Sequence, residues 1–551
     1  MHSSQRALSI LFEDRWKGVI VTAAINGSTR ADLSPDARRD FMQGLLDEVA
    51  ALQRTLLSGG GEKYVARHRQ RGKLMVRERI ALLLDNGSPF LELSPLAGAQ
   101  TTDPLGAGLV TGIGIVSGTE CLLMANDPTV RGGTLNPSAI NKLLRAYEIA
   151  LSNRLPLVNI VESGGADLPH QATIFNRGGT QFRHLAELSA AGIPTIAIVT
   201  GPSTAGGAYV PGMSEYTVFV AGEARVYLGG PPLVKMAIDE DADEEDLGGA
   251  EMHARISGLA DALVADEAEA ATKVRSIVRN LNWRKQGPRP TGKARPPTVD
   301  PEALMSIVTP DLRAPFDMRD VIVAIVDGSE LDEFKPLYGS MLVAGFAELH
   351  GYPVGVLANN GILFSPDARK AAQFVQLCNR RDLPILFLHN INGFMVGTEY
   401  ERGGIIKDGA ALINVISTST VPHLVLMVGA SYGAGNYAMS GRGYRPRFVF
   451  SWPSHRIAVM GGKQLAGVMS IVQRRSAQAM GRPYSEDDES ALKQRIEDQI
   501  DRESTALYAT GQVWDDGIID PRDSRTVLGL ALSACANAPF KGTRSFGVFR
   551  F

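Results

Sequence analysis

The chain has 551 residues, with 56 Lys and Arg set against 59 Asp and Glu for a formal net charge of −3. That length is too great for one hydrophobic core and enough for two large ones, and the near balance of charge gives no electrostatic case for nucleic acid or a membrane surface. Cys121, Cys378 and Cys535 are few, odd in number and far apart, so they frame neither a disulfide scaffold nor a zinc ribbon and suit a reducing, cytoplasmic setting.

Residues 1–32 show no strong periodicity and read as an extension; its apolar stretch GVIVTAAI at 18–25 follows Glu13 and Asp14, where a secretion signal wants positive charge. Ser34-Pro35 then opens an amphipathic helix on which Phe41, Leu45, Leu46, Val49, Leu52 and Leu56 recur at helical spacing. Beyond Gly59-Gly60-Gly61, the basic residues Lys63, Arg67, Arg69, Arg71 and Lys73 precede a helical stripe of Val76, Ile80, Leu83 and Leu84. These basic residues suit either a solvated helix face or the attraction of a polyanionic ligand. The acidic run DEDADEED at 239–246 has no metal-ligand spacing and reads as an exposed loop or helix start. Residues 284–301, RKQGPRPTGKARPPTVDP, are dense in proline and cannot pack as helix or sheet. They form the linker between a first domain at 33–296 and a second at 297–551. No apolar run approaches bilayer length, and stretches such as 193–200 and 424–430 read as buried strands.

The chain also repeats itself. RLPLVNIVESGGADLP at 154–169 is answered by RDLPILFLHNINGFMVG at 381–397, and GIPTIAIVTGPSTAGGAYV at 192–210 by TVPHLVLMVGASYGAGNYA at 420–438. Leu155-Pro156 and Leu383-Pro384, Ile193-Pro194 and Val421-Pro422, and Gly201 and Gly429 all stand 228 residues apart. Parallel strands packed before helices resemble one another in any α/β protein, but a constant offset over several motifs marks two related α/β domains.

In each repeat an apolar strand ends in a turn of small residues: Gly164-Gly165-Ala166 after LPLVNIV, Ala205-Gly206-Gly207-Ala208-Tyr209 after IPTIAIV, and Gly433-Ala434-Gly435-Asn436-Tyr437 in the second half. Small side chains leave backbone N–H groups uncovered, and the first N–H groups of a helix have no partner inside it. Such a turn serves either close helix–strand packing or an oxyanion hole, and paired turns suggest two enolates held by backbone donors. No GxSxG, HExxH, CxxC, P-loop or first-strand GxGxxG occurs. His170, His253, His389 and His423 have no carboxylate or cysteine at a telling distance in sequence, so neither side-chain acid–base catalysis nor a metal site is signposted.

The motifs ANDPTVRGG at 125–133, ESGGADLP at 162–169, GIPTIAIVTGPSTAGGAYVPGMSEY at 192–216, YLGGPPLVK at 227–235, LGGAEMHARISG at 247–258 and MVGASYGAGNYAMSGRGYRPRF at 427–448 resemble the carboxyltransferase β subunits of biotin-dependent acyl-CoA carboxylases. The resemblance runs from about residue 59 to the end. It implies two tandem crotonase-like β-β-α superhelix domains, one for the acyl-CoA and one for biotin, and transfer of a carboxyl group from carboxybiotin to the acyl-CoA, with no metal. On that resemblance Ala205, Gly206 and Gly207 hold the thioester oxygen, and Gly433, Ala434 and Gly435 hold the biotin ureido oxygen. Gly164, Gly165, Ala166, Asn126 and Tyr209 shape the CoA side, with Arg131 either a phosphate contact or a surface ion pair. Asn392, Gly393, Phe394 and Tyr437 flank biotin.

Within the family GGPPLVK, FMVG and YGAGNY are similar to the methylcrotonyl- and geranyl-CoA branch, whereas Gly178-Gly179 departs from it and leaves acetyl- or propionyl-CoA open. A biotin-dependent decarboxylase subunit and a non-catalytic scaffold are the rival readings. The chain has no biotinyl-lysine AMKM motif and no ATP-binding loop, so the resemblance implies a separate biotin carboxylase and carrier α subunit. It further implies a hexamer of β chains in which each site joins the first domain of one chain to the second of its neighbour.

Overall fold

A computed structural model describes residues 34–311, 314 and 316–550; the extension at 1–32 lies outside the described residues. The lead-in helix spans Pro35–Leu57, and Ser34 caps it by accepting from the Ala37 N–H. Its buried face is Met42, Leu46 and Val49, so the apolar stripe read from the sequence is present with Met42 added to it. Helix Val76–Leu83 buries Val76, Ile80 and Leu83 as their spacing predicts.

The first half forms one sheet from β1 (Phe90–Leu93), β2 (Leu109–Val116), β3 (Thr119–Asn126), β4 (Leu157–Ser163), β5 (Thr195–Thr204), β6 (Tyr216–Val220), β7 (Arg225–Tyr227) and β8 (Ala262–Val264). Its order is β1-β2-β3-β4-β5-β6-β8, with β7 on β5. β1, β2 and β3 pair antiparallel and the rest parallel. The second half builds β9 (Asp332–Glu333), β10 (Leu342–Leu349), β11 (Tyr352–Asn359), β12 (Gly361–Leu363), β13 (Ile385–Phe394), β14 (His423–Tyr432), β15 (Phe448–Ser451) and β16 (Arg456–Ala458). These run in the order β9-β10-β11-β13-β14-β15, with β12 on β13 and β16 on β14. Each half is therefore an antiparallel hairpin followed by strand–helix units. Helix Pro137–Asn153 joins β3 to β4 and helix Ser365–Arg380 joins β12 to β13.

The repeat extends to buried charge. Lys142 and Lys370 lie 228 residues apart, one on each of these helices, and both are buried. Lys142 Nζ donates to the carbonyls of Leu109 at 2.5 Å and Gly106 at 3.4 Å, and Lys370 Nζ to those of Leu342 at 2.7 Å and Gly339 at 3.3 Å. Burial pushes the Lys142 ammonium down to about 7. Each lysine pins the start of its half's hairpin to the following helix.

Each half has an apolar core of its own, as the chain length allows. One apolar cluster lies in the first half around Val158, Ile196 and Val274, and one in the second around Phe374, Phe387 and Val425. A further cluster runs through both halves, from Met42 and Tyr147 to Phe448, Trp452 and Leu528. The shared cluster arises because each sheet has a second apolar face covered by helices that meet one another: helix Pro137–Asn153 lies on β2 and β3, helices Met318–Ile325 and Ser524–Cys535 lie on β10, and Ser524–Cys535 also packs on Pro137–Asn153. A buried ion pair crosses the same boundary: Arg145 meets Asp516 at 2.7 and 2.8 Å and also donates to the Arg447 carbonyl. Residues 284–300 form neither helix nor strand, as their prolines require, yet they are pinned. Gln286 and Gly287 donate to the carbonyls of Asn537 and Ala536, and Lys285 pairs with Glu120 at 2.9 Å.

Asp516→Ala leaves Arg145 buried without its carboxylate and is expected to cost about 3–5 kcal/mol, read as a lowered thermal midpoint. Its neighbour Asp515 is raised to about 6 by burial, against the pull of the Ser451 hydroxyl, which donates to it at 2.6 Å. A carboxyl raised in the folded state contributes stability at low pH that is lost as pH climbs through its folded pKa. Asp515→Asn should therefore gain thermal midpoint relative to the parent as pH rises from about 4 to about 6 and hold level above that; an offset that does not change with pH contradicts the assignment.

Candidate active site

Both candidate holes form where a central strand hands over to a helical turn. β5 ends at Thr204 and passes into a tight turn at Ala205–Ala208, then helix Tyr209–Gly212; β14 ends at Tyr432 and passes into helix Gly433–Ala438. The first residue after each strand is left-handed, Ala205 at φ +53° and Gly433 at φ +56°. An alanine tolerates that region only at a cost of roughly 1 kcal/mol, so its use at Ala205 means the turn requires it. The left-handed step swings the next peptides so that the N–H groups of Ala205–Gly207 and Gly433–Gly435 start a helical turn, where no carbonyl of the same turn reaches them. Ser203 Oγ donates to the Gly207 carbonyl at 2.8 Å and closes the first turn.

The neighbouring strand is shaped to match. The β4–β5 register slips between Val161 and Ser163, and the β13–β14 register slips between His389 and Ile391. At the slips stand Glu162 and Asn390, whose side chains lie over Gly201 and Gly429. A Cβ on Gly201 would come within 2.5 Å of the Glu162 carboxyl carbon, and one on Gly429 within 2.6 Å of Asn390 Oδ1. The two halves balance these side chains differently. Glu162 is ion-paired to Lys73 at 2.7 Å and Arg79 at 2.8 Å; Lys73 also reaches Glu223 at 3.0 Å and the Thr200 carbonyl at 2.7 Å, and Arg79 reaches Glu267. Lys73, Arg79 and Glu162 are all buried. Lys73 thus leaves the group of candidate ligand-attracting cations, and Arg69 is engaged with Glu78 at 2.6 Å.

The structure brings the first-half site residues together. Gly164 donates to the Gly132 carbonyl at 3.0 Å, Leu135 to that of Gly165 at 2.9 Å, and Ser163 Oγ to that of Gly133 at 2.7 Å. A Cβ on Gly165 would sit 3.1 Å from the Thr204 carbonyl, so this loop borders the first hole. Asn126 ends β3 and packs against Gly133. Arg131 lines a cleft of about 480 Å³ with Gly59, Gly60, Tyr64 and Arg77. It also pairs with Asp167 at 3.2 Å, the surface ion pair that was one of its two readings. His170 shares that carboxylate at 2.9 Å; the sequence reading, which saw no acidic partner at a telling distance from His170, overlooked Asp167 one helical turn ahead. Tyr209 stands edge-on to Phe182, ring centres 5.3 Å apart, beside Gly206.

In the second half Gly435 abuts Gly393 and Ile391, and Phe394 packs toward Gly409. Asn392 is exposed, and Tyr437 lies 5.8 Å from Tyr444. Sequence reasoning missed His389, Ser431 and Asn436, which form a buried polar chain behind this hole. The recurrence of Ser203 at Ser431, at the shared offset, is the signal that points to it. Among the described residues no group of three or more His, Cys, Asp or Glu is placed to hold a metal ion. The acidic run at 239–246 instead supplies Asp243 as the cap of helix Glu244–Gly248.

The carboxyl transferase domain matches residues 67–549. The chain is 60% identical over 92% of its length to 96% of the "Probable biotin-dependent acyl-coenzyme A carboxylase beta2 subunit" of Mycobacterium tuberculosis. The chain belongs to the carboxyltransferase β subunits of biotin-dependent acyl-CoA carboxylases. It is also 49% identical, over 94% of its length and 97% of the relative, to the biotin-dependent 3-methylcrotonyl-coenzyme A carboxylase beta1 subunit of the same organism. The solved β subunit of P. aeruginosa geranyl-CoA carboxylase superposes with a TM-score of 0.86 at 42% identity, covering 96% of this chain and all of that one. The carboxyltransferase thus has the tandem crotonase-like fold that its motifs implied.

Gly429→Ala tests the packing that shapes the second hole. The added methyl must push Asn390 away and shift the β13–β14 slip, so turnover is expected to fall by about 10-fold or more, with the chain still folded by circular dichroism.

Proposed function

We propose that this carboxyltransferase moves a carboxyl group from carboxybiotin, carried by a biotin carboxylase and carrier α subunit, onto an acyl-CoA bound by the first half. The observation that carries the reading is the matched pair of left-handed handovers at Ala205 and Gly433, each opening a row of backbone donors. The N–H groups of Ala205–Gly207 stabilise the thioester oxygen as charge grows on it, and those of Gly433–Gly435 do the same for the ureido oxygen of biotin. The small residues Gly433, Ala434, Gly435 and Gly393 at the second turn support the reading that a flat group is held there. Carboxybiotin supplies the activated carboxyl group when bound. We assign Glu162 no role as a base, since its carboxylate is buried and ion-paired with Lys73 and Arg79.

Gly164, Gly165, Ala166, Asn126 and Tyr209 shape the acyl-CoA side, with Arg131 beside the cleft, and Asn392, Gly393, Phe394 and Tyr437 flank biotin. The acyl half is residues 33–296 and the biotin half 297–551. Phe182 and Tyr209 form an aromatic wall beside Gly206, which favours a short branched acyl group of the 3-methylcrotonyl type over a geranyl chain. Exposed apolar side chains follow both holes along the chain, Leu228, Leu233 and Met236 after the first and Val459, Ile471 and Val472 after the second. Apolar surface of this kind calls for a cover, and it supports a hexamer in which the first half of one chain closes on the second half of its neighbour. Among the described residues no helix is long and apolar enough to cross a membrane, in keeping with a cytoplasmic enzyme.

The reverse half-reaction tests this directly: the purified protein is offered free biotin with malonyl-, methylmalonyl- or 3-methylglutaconyl-CoA, and loss of the carboxyl group is followed. Turnover of 3-methylglutaconyl-CoA is expected, abolished by Gly206→Pro and by Ala434→Pro, each of which removes a donor. Preference for methylmalonyl-CoA would move the substrate to the propionyl branch, and no turnover of any with CoA binding intact would contradict the reading.

A further inference from the structure

Helix Gly433–Ala438 has six residues, too few to hold a fixed orientation by its own hydrogen bonds. Something outside it must set the direction of its first N–H groups. Beneath it on β13 lies His389, fully buried, with one ring nitrogen bonded to each flank of the helix. Nδ1 is 2.9 Å from Ser431 Oγ, two residues before the helix, and Nε2 is 2.7 Å from the carbonyl of Met439, the residue that caps its end. A carbonyl only accepts, so Nε2 carries the proton and Nδ1 accepts from the Ser431 hydroxyl. Ser431 Oγ in turn accepts from Asn436 Nδ2 at 2.8 Å, which ties the middle of the helix into the same chain. Asn436 is itself confined, since a Cβ on Gly441 would overlap its side-chain oxygen. Burial pushes His389 down to about 4, so the ring is neutral at physiological pH and the direction of the bonds is fixed.

The first half has no such device. Val161 stands in place of His389 and Ala208 in place of Asn436, and the serine equivalent to Ser431, Ser203, bonds its own turn directly. We propose that His389 is a positioning residue for the second hole, a neutral donor–acceptor strut that spans helix Gly433–Ala438 and sets the aim of the N–H groups at Gly433–Gly435. The inference rests on reading those N–H groups as the biotin-side hole.

The test uses the full chain and the reverse half-reaction with free biotin and 3-methylglutaconyl-CoA. His389→Leu has neither donor nor acceptor, and kcat is expected to fall about 10- to 100-fold while KM for the CoA thioester stays within about twofold, because the acyl side is untouched. His389→Gln, whose amide carries both an N–H donor and a carbonyl acceptor at a similar separation, is expected to recover turnover to within about threefold. Ser431→Ala is a smaller change that severs the same chain; it is expected to match the loss in His389→Leu and replaces that variant if it does not fold. Parental kcat in His389→Leu and Ser431→Ala, with Ala434→Pro inactive, overturns the strut and leaves the hole standing. If Ala434→Pro is active as well, the reading of the second hole fails with it. His389→Gln as impaired as His389→Leu, or an equal rise in KM for the CoA thioester, also overturns the proposal.

Discussion

A backbone N–H at the start of a helical turn has no partner within it, and it becomes a usable donor only if the preceding strand delivers the chain at the right angle. In this carboxyltransferase that angle comes from a single left-handed residue after a central parallel strand, Ala205 in one half and Gly433 in the other. Around that constraint the rest of each half is arranged. The adjacent strand slips register so that Glu162 or Asn390 lies across the delivering strand, and Gly201 or Gly429 leaves room for it. The buried lysines Lys142 and Lys370 hold each hairpin to the next helix.

The same geometry is balanced by different chemistry. Behind the first hole the side chain at the slip is a carboxylate, and buried Lys73 and Arg79 neutralise it through a network that draws in Glu223 and Glu267. Behind the second hole the side chain at the slip is the neutral amide of Asn390, and the turn itself is tied by the neutral chain of His389, Ser431 and Asn436. Buried ions demand partners and buried neutral groups demand hydrogen bonds; the first half answers with ion pairs, Arg79 meeting Glu162 by distance without a hydrogen bond, while in the second half Asn390 Oδ1 is buried with no hydrogen-bond partner. The halves are joined by a shared apolar cluster and by the Arg145–Asp516 pair.

Much of this is legible in the sequence because the repeat is. The constant offset locates both turns, the apolar runs locate the strands that end in them, and Ser34-Pro35 locates the lead-in helix. What the sequence does not reveal depends on contacts between residues far apart in the chain. Lys73 reads as one of five basic residues on a solvated segment until Glu162, Glu223 and the Thr200 carbonyl converge on it. His389 reads as an isolated histidine because its partners lie 42 and 50 residues away. The shared core is hidden for the same reason: periodicity shows which face of a helix or strand is apolar, not which face of the other half covers it.

The most direct test is a structure of the assembled enzyme with an acyl-CoA and biotin bound. The thioester oxygen should lie about 2.7–3.1 Å from N–H groups within Ala205–Gly207, and the ureido oxygen at the same distance from N–H groups within Gly433–Gly435. Oxygens held instead by side chains, or both ligands gathered in one half with the other turn bare, would contradict the account.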